Sequence, residues 1–166
     1  MKKIFLFSLA LLATFYTYCQ EIKGSYAIRN AETGIFIRIK DANTKNGTPI
    51  VTYSPVNWKC VTWDFKKQEA NKYLLENLFS HKTMQPVSPA KQGVALEEQP
   101  LQKNSPQQLY EFIADGNNNY LIKLSGTELY ITPSVNTGEV NAPIILLPKS
   151  GSRLQLWQLI EQHPTM

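Results

Sequence analysis

"SRLQLWQLIEQ", residues 152–162, holds a single tryptophan, Trp157, with Gln155 two positions ahead of it. Counting back 47 residues reaches Tyr110 in "QQLYEFI" (107–113), and another 47 reaches Trp63 in "CVTWDFK" (60–66). The spacing recurs along the chain. Tyr26, Tyr73 and Tyr120 are 47 apart, as are Ile28, Leu75 and Ile122, then Thr33, Ser80 and Thr127. Ile37, Met84 and Ile131 follow it too, as do Phe65, Phe112 and Leu159. A fixed period of this length is the signature of a repeated supersecondary unit. Three units, about 24–70, 71–117 and 118–164, account for nearly all of the chain after residue 20.

Each unit reads as four short strands. In the first, "SYAIRN", "GIFIRIK", "TPIVTY" and "VTWDF" alternate apolar and polar residues and are separated by Gly-, Asn- and Thr-rich turns, the pattern of half-buried strands. "NKYLLENLFS" (71–80) could pass for a helix, but its mates one period away carry Tyr, Ile and Thr, and the repeat decides for strand. Twelve strands in three equal units predict an all-β fold, a β-trefoil with pseudo-threefold symmetry. Six strands would close a barrel and six would form hairpins over one end, leaving no long open edge. Trp63, Tyr110 and Trp157 are then core anchors. The second unit drifts in register: pairing Ile50 and Thr52 with Val94 and Leu96, then with Ile144 and Leu146, implies a three-residue deletion that is later restored.

The chain begins Met1-Lys2-Lys3 and continues "IFLFSLALLATF". A basic start and about twelve apolar residues fall short of the roughly 20 that span a bilayer and fit a secretory signal peptide at 1–19. Thr17 and Cys19 would be the small residues before the cut. The folded region is then 20–166, and its location secreted or periplasmic. A lipid anchor at Cys19 is the less favoured alternative, because bulky Tyr18 precedes it. Without Lys2 and Lys3 the 17 basic residues become 15 against 13 acids, a net charge of +2, too small to point to nucleic acid or an anionic membrane. Cys60 is left alone, so no internal disulfide forms, and its apolar neighbours suggest a small buried hydrophobe.

No catalytic or metal-binding constellation is present. His81 and His163 lack ligand spacing, and no cofactor is implied. Glu97 and Glu98 would point to opposite faces of a strand, as a solvated pair and not an acid/base dyad. "NGT" at Asn46 fits a glycosylation sequon but also a turn into the third strand.

"QLW" (155–157) and "QLY" (108–110) resemble the Q-x-W motif of ricin B-type lectin domains. "YAIRNAETGIFIRI" (26–39) is similar to their first hairpin, and "NGTPIVTY" (46–53) to their third strand. The resemblance implies a non-catalytic domain that binds carbohydrate in up to three shallow pockets. In such pockets an Asp on the second strand holds sugar hydroxyls, an aromatic after the third strand stacks on the ring, and an amide adds hydrogen bonds. Here the Asp position is taken by Arg38, Gln85 and Thr132. The platform position falls on Tyr53, near Glu97 and near Leu147, and the first-unit glutamine is Val61.

The first unit therefore holds the candidate ligand site: Arg38, Tyr53, Asn57 and Trp58. Arg38 can only donate, which favours a carboxylated or sulfated glycan. Plainer roles stand beside this one. Arg38 could pair with Asp41, Tyr53 could cap the rim, and Trp58 could fold over the barrel bottom. The expected partner is a glycan or glycoconjugate bound by a monomer. The alternative is a protein-interaction or protease-inhibitor domain gripping a secreted or surface protein through "DANTKNG" (41–47), "SPAKQG" (88–93) and "NTGEVNAP" (136–143), since fold alone does not decide function.

Overall fold

In Lys72–Asn77 every second side chain is buried, Tyr73, Leu75 and Asn77 facing in and Lys72, Leu74 and Glu76 facing out. That period of two makes the segment a strand, despite its helix-like composition. The computed structural model describes residues 21–165, and the leader expected at 1–19 lies outside them. Among the described residues no helix is long and apolar enough to cross a membrane.

Twelve strands run in chain order. They are β1 (Ser25–Asn30), β2 (Phe36–Ile39), β3 (Ile50–Tyr53), β4 (Thr62–Glu69), β5 (Lys72–Asn77), β6 (Thr83–Pro86), β7 (Leu96–Gln99), β8 (Leu109–Ala114), β9 (Asn119–Leu124), β10 (Leu129–Pro133), β11 (Ile144–Pro148) and β12 (Leu156–Glu161). The antiparallel pairs β1–β4, β4–β5, β5–β8, β8–β9, β9–β12 and β12–β1 close a six-stranded barrel. The pairs β2–β3, β6–β7 and β10–β11 are the three hairpins. This is the β-trefoil expected from the repeat.

The threefold sets become core layers. Ile28, Leu75 and Ile122 are fully buried, as are Ile37, Met84 and Ile131. Trp63, Tyr110 and Trp157 are completely enclosed, and each donates its polar hydrogen to a carbonyl 26 residues earlier. Trp63 Nε1 reaches Ile37 O at 3.4 Å, Tyr110 Oη reaches Met84 O at 3.2 Å and Trp157 Nε1 reaches Ile131 O at 3.1 Å. A buried indole or phenol needs such a partner, and here the partner lies on the second strand of the same unit. Each bond thus pins a hairpin to the barrel.

The hairpins also bond to one another in a cycle. Gly47 N donates to Glu98 O and Glu98 N to Thr48 O; Gly93 N donates to Leu146 O and Leu146 N to Val94 O; Asn141 N donates to Thr52 O and Thr52 N to Ala142 O. Gly47, Gly93 and Asn141 all adopt positive φ, 83°, 84° and 68°. Glycine enters this region freely and asparagine more readily than other side chains.

This cycle corrects the register expected for the second unit. Tyr53 pairs with Phe36, Gln99 with Thr83 and Leu147 with Tyr130, so the true mates are Tyr53, Gln99 and Leu147. The mates of Ile50 and Thr52 are Leu96 and Glu98, and the second unit slips by one residue, not three. Glu98 obscured the alignment, because it occupies a position held elsewhere by Thr52 and Leu146.

Glu98 is also not solvated. It is 1% exposed, with Ser80 and Lys82 as the polar groups beside its carboxylate. Lys82 Nζ lies 3.7 Å from Oε1 and also donates to Thr44 O. Burial pushes the Glu98 carboxyl above its ordinary range, with Ser80 and then Lys82 opposing the shift. Glu97, on the opposite face, is half-buried and accepts from Gln99 Nε2.

Two outcomes are expected. Trp157→Ala should lose about 3–5 kcal/mol by the cost of emptying a large aromatic site, read by chemical denaturation. For Glu98 the folded state binds its proton more tightly than the unfolded state. The ionised form therefore lowers stability above the folded pKa, and that loss is relieved as pH falls. Glu98→Gln should raise Tm at neutral pH and flatten the gain seen on acidification. An unchanged pH profile in the variant would contradict this.

Candidate functional site

Gln155 and Gln108, the Q-x-W glutamines, are buried and bond inward. Gln155 Nε2 donates to Thr132 Oγ1 at 3.3 Å and to Pro148 O at 2.9 Å, while its Oε1 accepts from Ser150. Gln108 Nε2 donates to Gln85 Oε1 at 2.8 Å and to Pro100 O at 3.0 Å, and its Oε1 accepts from Gln102 N. In units two and three the glutamine therefore occupies its second-strand neighbour. In unit one that glutamine is Val61, buried with Phe36, Cys60 and Ala27. Arg38 has no such partner and must find others.

It finds three. The Arg38 guanidinium carbon sits 3.6 Å from the centre of the Tyr53 ring, within cation–π range. Its Nη2 donates to Asp41 Oδ1 at 3.1 Å and to Asn141 Oδ1 at 2.9 Å. Nε is buried without a partner. Arg38 is only 6% exposed. The open donor expected from sequence is instead a buried cation with its charge already met, as the simpler pairing with Asp41 anticipated.

The local backbone explains how these groups arrive. After β2 the chain makes a tight turn at Lys40–Ala42, with Asp41 at φ 55° and Ala42 at φ 47°. Aspartate tolerates the left-handed region; alanine does so at a cost. The turn sets the Asp41 carboxylate against Arg38. Asn141 comes from the third unit, where it stands in place of the glycines Gly47 and Gly93. Its side chain supplies the acceptor that a glycine could not.

Tyr53, at the end of β3, is half-buried. Its ring lies 6.1 Å from that of Trp58, tilted by 33°. Trp58 is 37% exposed, and its carbonyl accepts from Val61 N and Thr62 Oγ1. It does not fold over the barrel bottom. Together with Ala42, Cys60 and Phe79 it lines a cleft of about 220 Å³. Asn57 is exposed, and no hydrogen bond joins it to Arg38, Tyr53 or Trp58 among the described residues. The structure thus groups three of the four candidates and adds Asp41, Asn141 and Phe79. Period-based alignment named Asp41 only as a pairing option. It had no means of finding Asn141, which lies 103 residues from Arg38.

The third unit has its own concavity. Thr132 replaces Arg38 and Leu147 replaces Tyr53, and these smaller side chains line a cavity of about 500 Å³ with Asn136, Glu139, Ser150 and Ser152. It offers hydroxyl, amide and carboxylate groups but no aromatic platform. The spacing of 47 pointed to Thr132, and the missing aromatic drew attention away from it.

Cys60 is buried, and burial raises its thiol pKa, which makes it a poor nucleophile. His81 pairs with Glu76 at 3.0 Å and His163 with Glu161 at 3.6 Å, both exposed. Among the described residues no three acidic, His or Cys side chains form a metal-binding group.

No protein-family model and no curated protein matches the chain. Solved structures do. A designed threefold-symmetric protein, ThreeFoil, aligns over 84% of this chain and 99% of its own with TM-score 0.79 and 17% identity. The ricin B-like lectin of Macrolepiota procera, in complex with lactose, aligns over 86% and 99% with TM-score 0.71 and 18% identity. The Polyporus squamosus lectin, bound to the epitope Neu5Acα2-6Galβ1-4GlcNAc, aligns over 84% of this chain and 49% of its own with TM-score 0.70 and 17% identity. At these identities the likeness is one of fold, the β-trefoil.

The first-unit cluster predicts unequal costs. Asp41 has a side chain 65% exposed, and Asp41→Asn should cost less than about 1 kcal/mol. Arg38→Met strips Asn141 and Tyr53 of a buried partner and should cost about 1–3 kcal/mol. Equal losses in urea denaturation would contradict the buried geometry.

Proposed function

We propose that the chain is an exported, non-catalytic carbohydrate-binding module whose principal site is the Tyr53–Trp58 corner of the first unit. The supporting observation is the exposed Trp58 beside Tyr53, with the Arg38–Asp41–Asn141 cluster underneath. A pyranose presents an apolar C–H face and a fixed fan of hydroxyls, so it calls for an aromatic plane with charged or amide groups at its margin. Asp41 takes the part of the acid that the second strand lacks: its exposed carboxylate can accept sugar hydroxyls. The fold is shared with lectins whose structures contain lactose or a sialylated epitope, which agrees with this reading.

The same cluster accounts for a preference for acidic glycans. Asp41 is the exposed end of its pair with the buried Arg38. A ligand carboxylate or sulfate can take its place on Nη2, with Asn141 still holding the guanidinium. The exchange keeps the buried charge compensated throughout. The third-unit cavity is a second candidate pocket, suited to a neutral sugar held by hydroxyl and carboxylate groups.

A glycan array of the purified protein beside Tyr53→Ala tests the proposal. Binding to carboxylated or sulfated glycans is expected, lost in the variant while its circular dichroism stays unchanged. Asp41→Asn should strengthen binding to acidic glycans and weaken binding to neutral ones. Neutral galactosides bound equally by Tyr53→Ala would move the site to the third unit. No binding across the array would favour the protein-interaction reading, with the loops 41–47, 88–93 and 136–143 as the contact surface.

A further inference from the structure

The cleft beside Trp58 is not required by the fold. Its three versions can be compared, because the backbone marks their equivalence. Trp58 O, Ser105 O and Ser152 O each accept from the amide three residues on. Phe79 N and Glu32 N each donate to the side-chain Oδ1 of an asparagine two residues earlier, Asn77 and Asn30. The mates of Trp58 are therefore Ser105 and Ser152, and those of Phe79 are Gly126 and Glu32. In the version between units three and one, Glu32 and Arg153 form an ion pair at 2.8 Å. A polar, charged notch there has become an apolar cleft between units one and two.

Its walls are Trp58 and Phe79, 37% and 42% exposed, and Ala42 and Cys60 complete the lining. No charged side chain lines it. At about 220 Å³ it exceeds the roughly 150 Å³ cavity known to admit one benzene ring. It is continuous with the proposed glycan site on two sides, since Trp58 also faces Tyr53 and Ala42 directly follows Asp41. Holding Ala42 at positive φ is costly, and the result is a methyl group in the lining.

We infer that the Trp58–Phe79 cleft is a subsite for an apolar, ring-sized substituent carried by the bound glycan, such as an aromatic aglycone. This rests on the glycan reading above and deepens it. The ligand class becomes a glycoside whose sugar meets Tyr53, Asp41 and Arg38 while its neutral, apolar group enters between the two aromatics. Neither a second sugar nor an ion fits this lining as well, because nothing in it can pair with hydroxyls or charge.

The test uses methyl and phenyl glycosides of galactose, glucuronic acid and sialic acid, titrated calorimetrically and by tryptophan fluorescence. The protein has three tryptophans; Trp63 and Trp157 are fully buried, so a ligand in the cleft perturbs Trp58. For the sugar that binds, the phenyl glycoside should bind at least about tenfold more tightly than the methyl one, from the apolar area it buries. Phe79→Ser, which installs a polar side chain outside the glycan site, should bring that ratio close to one. Equal affinity for both glycosides in the unaltered protein would overturn the subsite and leave the glycan reading standing. Phenyl compounds bound regardless of sugar, lost in Phe79→Ser but kept in Tyr53→Ala, would uphold the cleft and sink the glycan reading. Binding of neither series would overturn both.

Discussion

An enclosed aromatic ring with one polar hydrogen is the constraint on which this structure depends. Trp63, Tyr110 and Trp157 sit where no water reaches them, and each must give its hydrogen to a carbonyl at a fixed distance along its own unit. The ring fills the core, and the bond decides where the hairpin lies over it. Packing and direction come from the same residue, which is why its position tolerates tyrosine for tryptophan but keeps the period. The cycle of amide bonds between hairpins then ties each unit to the next.

Variation collects where that constraint does not reach. In units two and three the buried glutamine before the aromatic occupies the second strand. In unit one Val61 withdraws, and Arg38 turns to Tyr53, Asp41 and Asn141. Val61 in place of the amide, with Arg38 and Tyr53 in place of smaller or neutral mates, thus converts a structural junction into a charged, aromatic-covered corner. Asn141 completes it from another unit by standing where a glycine would serve the backbone equally well. The site is assembled from differences among repeats that are otherwise held alike.

Much of the fold was legible because the deciding residues recur. The alternation in 72–77 and the 47-residue spacing of large apolar residues identify strands and core without any structure. The site was less legible, for physical reasons. Glu98 is a buried carboxylate at a position where apolar character is the expected clue, so the second unit was aligned two residues out of place. Arg38 was recognised as unusual, but a donor's burial depends on what approaches it in space, and Asn141 approaches from 103 residues away. Phe79 was hidden in a turn, where an exposed aromatic follows no period. Trp58 and Tyr53 were singled out by lacking aromatic mates, a signal available from the repeat itself.

The pairing of β1 with β12, with Tyr26 opposite Glu161, carries a consequence for synthesis. Until the final six-residue strand has left the ribosome, the nascent chain can stack its first two units but cannot shut the ring. Both β1 and β9 would meanwhile present free backbone groups to any neighbouring strand. The first strand and its partner lie far apart along the chain, with Arg29 facing Gln158, 129 residues on. Ring closure thus waits on a strand supplied late in the chain, and a chain lacking it is an open crescent with two unpaired edges.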